Sequence, residues 1–195
     1  MGNDPAMRVI VVGMGVQGAK RSAVAGGEVV AAVDPVHPDA RYRSLMDVPL
    51  DAFDAALVCT PDETKLELLA YLLSNGKHLL VEKPLFAPAD DELQELARLA
   101  CAKQVVCYTA YNHRFEPHFV RMKQTIESGE LGEIYCVRMF YGNGTARLVR
   151  DSAWRDQGAG VLPDLGSHLL DTALFWFGKP SAPFEIFSAN RFENR

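Results

Sequence analysis

The sequence lacks the features that mark several whole classes of protein. Its 195 residues contain no run of basic side chains, and 25 acidic residues outnumber 20 basic ones, for a formal net charge of −5. A net-acidic chain without a basic patch is poorly suited to bind nucleic acid or an anionic membrane surface. No apolar run approaches the ~20 residues that a membrane-spanning helix requires. We therefore expect neither a nucleic-acid partner nor a membrane partner.

The chain has four cysteines, and their spacing does not suggest a metal or redox site. No C-x-x-C pair occurs, which argues against a zinc ribbon or a thioredoxin-like centre. Most of the thiols lie in apolar stretches, as buried cysteines do. The first residues also lack the basic end and apolar core of a signal peptide. These features predict a reducing, cytoplasmic compartment for a chain whose cysteines are Cys59, Cys101, Cys107 and Cys136.

Apolar residues make up 48% of the chain and charged residues 23%, which is typical of a globular protein. The first half alternates short apolar runs with helical patterns. The predicted strands cover residues 8–12, 28–33, 55–59, 77–81 and 105–109, and the predicted helices include 63–73 and 90–102. Continuous apolar runs of this length are typical of parallel strands covered on both faces. We therefore predict an α/β fold with a doubly wound parallel sheet of the Rossmann type.

The pattern changes after about residue 115. A helix is predicted over 115–128, a longer strand over 133–141, an apolar helix over 162–177 and a further strand over 183–189. No flexible linker composition separates the two halves. We predict a dinucleotide-binding domain over residues 1–110 and a second, partial domain over 111–195.

A glycine-rich motif follows the first predicted strand and precedes a helix. Its residues are Gly13, Met14, Gly15, Val16, Gln17 and Gly18, which form a G-x-G-x-x-G pattern. In this context the first glycine permits a tight turn, the second lets the backbone approach a pyrophosphate, and the third lets helix pack on strand. The helix N-terminus then offers free N–H groups to the anion. The alternative is a tight glycine turn without a ligand.

Asp34 supports the dinucleotide interpretation. It ends the second strand, twenty-one positions after Gly13. A carboxylate there can accept hydrogen bonds from both ribose hydroxyls of NAD and would repel the 2′-phosphate of NADP. Arg41 and Arg43 lie close in sequence and would weaken that preference. We predict NAD as the cofactor, with NADP less favoured.

The tripeptide Glu82-Lys83-Pro84 leaves the carboxyl end of a predicted strand. Ligands of open α/β sheets bind at that edge. Pro84 restricts Lys83 to an extended backbone conformation, so Lys83 cannot continue into a helix and its side chain has a defined direction. A lysine there can stabilise a substrate hydroxyl or a developing alkoxide. The alternative is an ordinary surface lysine at a strand end.

Asp164, His168 and Asp171 fall on one stripe of the predicted helix over 162–177. Apolar residues cover most of the remaining circumference, so the stripe is expected to be buried, where ionisable groups are costly unless paired or functional. His168 suits general-base work, with an acidic neighbour to orient it. Two alternatives remain open, a structural hydrogen-bond cluster and a D-x-x-x-H-x-x-D metal site. No second ligand motif supports the metal site, and we predict none.

In this order, the motifs resemble those of the Gfo/Idh/MocA oxidoreductases, the family of glucose–fructose oxidoreductase and inositol dehydrogenase. The resemblance runs from about residue 8 to the end of the chain. It is carried by the glycine loop with Asp34, by C-T-P at 59–61 and E-K-P at 82–84, by Y-N-H-R-F at 111–115, and by the run 160–171.

The resemblance implies an NAD(P)-dependent dehydrogenase acting on a CH–OH group of a sugar, cyclitol or nucleotide sugar, and a homo-oligomer, either dimer or tetramer. Lys83, Asp164 and His168 match its catalytic groups, and the bond before Pro84 is often cis. The glycine loop (Gly13, Gly15, Val16, Gln17 and Gly18), Asp34, Thr60, Pro61, Glu82, Lys83 and Asn112 match contacts to the cofactor. Lys83, Arg114, Trp154, Arg155, Asp164 and His168 match positions that line the substrate.

The chain departs from the family pattern in length, because family members run well past its last residue and complete an open, mostly antiparallel sheet in the second domain. We therefore expect a partial α+β second domain here. The chain is truncated or cleaved, or a partner covers the gap, or it is a shortened relative. Two other functions stay open on this basis: a non-catalytic NAD(H)-binding sensor or partner subunit, and a glycosidase that uses NAD transiently.

Overall fold

Strand and helix alternate along the first half of the chain, as the apolar runs predict. The structure is a computed structural model that describes residues 6–142, 162–182 and 185. It divides into two compact units, Met1–Ala110 and Tyr111–Arg195. The strands and α-helices of the first unit are β1 (Val9–Val12), α1 (Val16–Ala25), β2 (Val29–Val33), β3 (Ala55–Val58), α2 (Asp62–Ser74), β4 (His78–Val81), α3 (Asp90–Lys103) and β5 (Cys107–Thr109).

The five strands form one parallel sheet in the order β2-β1-β3-β4-β5. Every side chain of β1 is buried, because this strand lies between two neighbours and has both faces covered. This arrangement confirms the prediction of a doubly wound Rossmann sheet. It also brings the residues that follow β1, β2, β3 and β4 to one edge, which we call the carboxyl edge.

Helix α2 is held on the sheet by an apolar face. Leu69, Leu72 and Leu73 are fully buried and join the core around the strands. Burying a leucine side chain contributes about 1.5–3 kcal/mol relative to exposing it. The helix ends at Ser74, where Asn75 and then Gly76, with a φ of +68°, stop it as predicted. Its start, just after Thr60 and Pro61, is thus fixed at the carboxyl edge.

Two α-helices lie in the described part of the second unit, α4 (Pro117–Glu127) and α5 (Ser167–Phe177). The indole N–H of Trp176 donates to the Phe119 carbonyl at 3.0 Å, and the Phe119 and Trp176 rings are stacked, with centroids 5.6 Å apart. Lys123 Nζ donates to the Phe175 carbonyl at 2.9 Å. These contacts pack α4 against α5.

Two sequence predictions for the second unit need correction. Residues 133–141 form no strand, because no described segment of the unit pairs with them, and Tyr135 and Phe140 are largely exposed. The helix predicted over 162–177 is regular only from Ser167, since Leu162–Gly166 forms a π-helical turn. Gly166 disfavours a regular α-helix in that turn, because glycine has a low helix propensity. The strand predicted over 183–189 lies outside the described residues apart from Glu185.

Within the described ranges, no helix is both long and apolar enough to cross a membrane.

Candidate functional site

The three glycines of the loop after β1 serve three different purposes. Gly13 has a φ of +90°, and a Cβ added there would lie 2.7 Å from the Cys59 carbonyl oxygen. A Cβ on Gly18 would lie 1.9 Å from the Gly13 carbonyl oxygen, so α1 packs directly on the loop. A Cβ on Gly15 would meet nothing within 4 Å. The backbone is therefore tight at the first and third glycines and open to a ligand at the second.

The open position lies at the N-terminus of α1, where unpaired N–H groups and the helix dipole favour an anion. Gly15 is the N-cap, and no acidic side chain occupies the first turn to neutralise that end. Val16 and Gln17 follow it and are exposed. This end of α1 fits a phosphate group.

Asp34 joins the end of β2 to the glycine loop. Its Oδ2 accepts a hydrogen bond from the Met14 N–H at 2.8 Å, and its Oδ1 accepts from the N–H groups of Val36 and His37 at 2.9 and 2.8 Å. These bonds, that from Met14 above all, hold the pKa of the Asp34 carboxyl below its ordinary value, although partial burial opposes them. The carboxylate is therefore charged at neutral pH.

Thr60 lies in the short segment between β3 and α2. Its Oγ1 is buried and has no hydrogen-bond partner among the described residues. Such an orphaned buried hydroxyl is uncommon and calls for a ligand or a bound water. Together with the open space at Gly15 and the unneutralised end of α1, it fits a polar dinucleotide at the carboxyl edge.

The segment after β4 is held firmly on both sides of Lys83. The Glu82 side chain is 11% exposed, and its Oε1 lies 2.6 Å from both Nε and Nη2 of Arg21 in α1. The Pro84 carbonyl accepts a hydrogen bond from Lys65. Lys83 is half-buried, and the Lys83–Pro84 bond is cis, as the resemblance implies.

Cys59 lies beside this segment and is a packing residue. Burial, followed by the charge of Glu82, raises the pKa of its thiol to about 12. The thiol is therefore protonated and unreactive at neutral pH. All four cysteines are free thiols.

In the second unit, His168 and Asp171 lie on α5 and are 7% exposed, while Asp164 lies in the π-helical turn and is half-buried. The His168 ring is surrounded by other rings: centroids lie 4.5 Å away for His113 and 5.8 Å away for both Tyr111 and Tyr141. The predicted stripe is therefore buried where it belongs to α5. Asp164 departs from the spacing of a regular helix because of the turn that holds it.

Asp171 is paired with Arg114. Arg114 Nε donates to both carboxylate oxygens at 2.9 and 3.0 Å, and Nη2 donates to Oδ1 at 2.7 Å. The guanidinium also lies over the Phe175 ring, 5.4 Å from its centroid. This pair joins the Y-N-H-R-F segment to α5. The ion pair favours, for Asp171, the alternative of a structural hydrogen-bond cluster. It also shows that the Arg114 guanidinium is bound to the Asp171 carboxylate.

Of the remaining predicted site residues, one is exposed and two lie outside the described residues. Asn112 is exposed, and its Nδ2 donates to Glu116 Oε1 at 3.2 Å. Trp154 and Arg155 lie outside the described residues. In the part of the chain that the structure describes, no three His, Cys, Asp or Glu side chains come together as metal ligands would.

Sequence reasoning missed three residues that hold the candidate site residues: Arg21, Lys65 and His113. Arg21 and Lys65 carry no spacing signal, because each binds a group far along the chain. His113 lies within the Y-N-H-R-F segment, and its place in that motif was the one sequence feature that could have pointed to it. Its ring contacts that of His168.

Comparison with known proteins finds an NAD-binding family, in agreement with the features at the carboxyl edge. The family model "Oxidoreductase family, NAD-binding Rossmann fold" of the Gfo/Idh/MocA group matches residues 7–111, and the Gfo/Idh/MocA C-terminal domain model matches residues 119–192. An uncharacterised oxidoreductase of Schizosaccharomyces pombe is 36% identical over 143 residues, covering 71% of this chain and 38% of that protein.

The scyllo-inositol 2-dehydrogenase (NADP(+)) of Bacillus subtilis is 32% identical over 150 residues, or 74% of this chain and 41% of that protein. The crystal structure of myo-inositol 2-dehydrogenase from Lactobacillus plantarum superposes with a TM-score of 0.76 at 17% identity, covering 89% of this chain and 57% of the other. That likeness concerns the fold. The chain spans about two fifths of the length of these curated relatives. It belongs to the Gfo/Idh/MocA oxidoreductase family and carries that family's NAD-binding Rossmann domain.

Proposed function

We propose that the protein containing this chain is an NAD(P)-dependent dehydrogenase. It moves a hydride between the nicotinamide and a carbon bearing a hydroxyl or carbonyl group, in a sugar, cyclitol or nucleotide sugar. The observation that carries the proposal is the carboxyl edge, where an open glycine position, a charged Asp34 and an orphaned Thr60 hydroxyl occur together. Family membership and the inositol dehydrogenases among its relatives support the substrate class.

Each predicted site residue has a proposed task. The cofactor is held by Gly13, Gly15, Val16, Gln17, Gly18, Asp34, Thr60, Pro61, Glu82, Lys83 and Asn112. When bound, the nicotinamide accepts or donates the hydride. In the oxidative direction, His168 takes the hydroxyl proton on an imidazole nitrogen. Lys83 donates a hydrogen bond to the same oxygen as charge develops. Asp164 orients these groups, and Arg114, Trp154 and Arg155 line the substrate.

Gly15 is the open position of the glycine loop. Gly15→Ala should weaken NADH binding by about tenfold or more, because the added methyl enters the space through which the pyrophosphate approaches the backbone. The φ of −65° suits alanine, and no described atom would clash, so the fold should be unchanged. Fluorescence titration with NADH and thermal unfolding measure the two effects.

Gly27→Ala is the matched control for Gly15→Ala. It adds the same methyl into open space in the same unit, away from the carboxyl edge. It should leave NADH binding unchanged. Equal NADH affinity in Gly15→Ala and Gly27→Ala would remove the glycine loop from the proposed binding site.

A second prediction concerns the choice between NAD and NADP, for which we propose NAD. The charged Asp34 carboxylate accepts hydrogen bonds from the Val36 and His37 N–H groups in the turn after β2. A carboxylate at this position repels the 2′-phosphate of NADP. Arg43 opposes this preference only weakly, since its Nη1 is already bound to the His37 carbonyl at 2.6 Å and the Asp34 carbonyl at 3.3 Å. Asp34→Ser should raise the NADPH-to-NADH affinity ratio by about tenfold or more. A ratio that does not move would show that Asp34 does not select the cofactor.

We further propose that the protein acts in the cytoplasm as a homo-oligomer, a dimer or a tetramer. Four free thiols support a reducing compartment, and the family resemblance supports the oligomer. Light scattering of the purified protein gives its native mass.

A further inference from the structure

Lys65, in the first half of α2, is buried to an extent that is rare for a lysine. Its side chain is 3% exposed. Lysines are almost never buried so fully unless they are paired, because the ammonium loses its hydration. Lys65 Nζ makes two hydrogen bonds, to Asp62 Oδ1 at 2.6 Å and to the Pro84 carbonyl at 2.9 Å. The first partner belongs to the start of the same helix, and the second lies nineteen residues further along the chain.

The second partner is the residue directly after Lys83. On the other side of Lys83, the Glu82 N–H donates to the Val58 carbonyl at 2.8 Å, and the Glu82 carboxylate is paired with Arg21. The backbone is therefore fixed both before and after Lys83. After Lys83, where the chain no longer belongs to β4, the hydrogen bond from Lys65 to the Pro84 carbonyl fixes the backbone.

The ammonium of Lys65 is itself held by a rigid support. Helix α2 is anchored to the core by three fully buried leucines. Asp62 stands directly after Thr60 and Pro61, for which we propose cofactor contacts. Lys65 thus connects the proposed cofactor segment after β3 with the Lys83 segment after β4.

We propose that Lys65 is a positioning residue, whose ammonium holds the Pro84 carbonyl so that the Lys83 amine stays in the orientation its proposed reaction requires. This proposal rests on the proposed function of Lys83. Lys65 is almost wholly buried, so its proposed task is to hold the Pro84 carbonyl and not to react itself. It acts on the transition state through the placement of Lys83, where a displacement of about 1 Å can cost about 10²-fold in rate.

The test compares Lys65→Met with Lys77→Met. Methionine keeps an unbranched apolar stem and removes the ammonium. Lys77 is a matched control, because its Nζ also donates to a backbone carbonyl, that of Phe53, at 2.8 Å. Lys77 precedes β4, at the opposite end of that strand from Lys83. Both variants lose one lysine–carbonyl hydrogen bond in the same unit, so a general loss of stability should affect both.

Two readouts separate positioning from stability. The first is trace acetylation of lysines in the ligand-free protein, followed by peptide mass spectrometry. Lys65→Met should change the acetylation rate of Lys83 by about threefold or more, since a lost hydrogen bond to a charged group frees the segment locally. The second is steady-state kinetics, in which kcat should fall by about 10- to 100-fold while KM for NAD stays within about twofold. Lys77→Met should change neither readout.

The proposal is overturned if Lys65→Met leaves the Lys83 acetylation rate and kcat unchanged, or if Lys77→Met changes them equally. The acetylation readout needs neither cofactor nor turnover. A change in Lys83 acetylation in an otherwise inactive protein would support the positioning contact and overturn the proposed function. If Lys65→Met does not fold, Lys65→Gln, which retains an N–H donor on a stem one bond shorter, replaces it in both readouts, with the same outcomes at smaller amplitude.

Discussion

Replacing His168 with alanine should lower kcat by about 10²- to 10⁴-fold, the usual contribution of a general acid–base group. NADH affinity should stay close to that of the wild type, because the proposed task of His168 is to take the hydroxyl proton. The measurement is steady-state kinetics on the substrate that the protein oxidises, together with an NADH titration. His118 provides the control, since it is an exposed histidine on α4, and His118→Ala should retain full turnover.

Because His168 is buried among other rings, a loss of rate in His168→Ala reports on chemistry only if the variant stays folded. The His168 ring is packed among those of His113, Tyr111 and Tyr141, and α5 is tied to the Y-N-H-R-F segment through Arg114 and Asp171. Thermal unfolding of His168→Ala shows whether this packing survives. A folded His168→Ala enzyme with undiminished kcat would refute the general-base assignment.

Replacing Gly18 with alanine should give the largest loss of stability of any single methyl added to the glycine loop. The new Cβ would lie 1.9 Å from the Gly13 carbonyl oxygen, a backbone atom that cannot move without displacing the loop. Overpacking of this kind costs about 1–3 kcal/mol and occasionally more, and the better helix propensity of alanine offsets about 1 kcal/mol. We expect a net loss of about 2 kcal/mol, at the upper end of this range, because the close atom belongs to the backbone. That loss lowers Tm by about 10 °C in a unit of this size.

Gly15→Ala is the natural comparison for Gly18→Ala, since its methyl enters open space. Thermal unfolding should therefore separate the two variants, with Gly15→Ala close to the wild type. A Gly18→Ala protein as stable as Gly15→Ala would show that α1 does not pack directly on the loop.

Local patterns predicted the first unit well. Continuous apolar runs predicted all five strands to within two residues at either end, because strands buried on both faces allow little else. The predicted purposes of Gly13 and Gly18 follow from local geometry, and the structure shows both close contacts.

Contacts distant in sequence were beyond prediction. Arg21 meets Glu82, and Arg114 meets Asp171, across 61 and 57 residues. No local pattern encodes such pairs, because each depends on which strands and helices become neighbours. The burial of Lys65 and its bond to Pro84 could not be predicted for the same reason, since a lysine near a helix start is ordinarily exposed to solvent.

The predicted strand over 133–141 failed for a related reason. Alternating and apolar side chains indicate that a segment can form a strand, but a strand exists only when another segment supplies its hydrogen bonds. No described residue of that unit does so. The helix predicted over 162–177 was wrong only at its start, where Leu162–Gly166 forms a π-helical turn.

The most direct test of the central claim is NAD(P)⁺ reduction by the full-length natural protein, measured against a panel of inositols, free sugars and nucleotide sugars. We expect NADH formation with one of these substrate classes and a weaker response with NADP⁺. NADH binding without NAD(P)⁺ reduction on any member of the panel would contradict the proposed dehydrogenase activity and indicate a non-catalytic NAD(H)-binding protein. Substrate cleavage without net NADH formation would also contradict it and would indicate a glycosidase that uses NAD transiently.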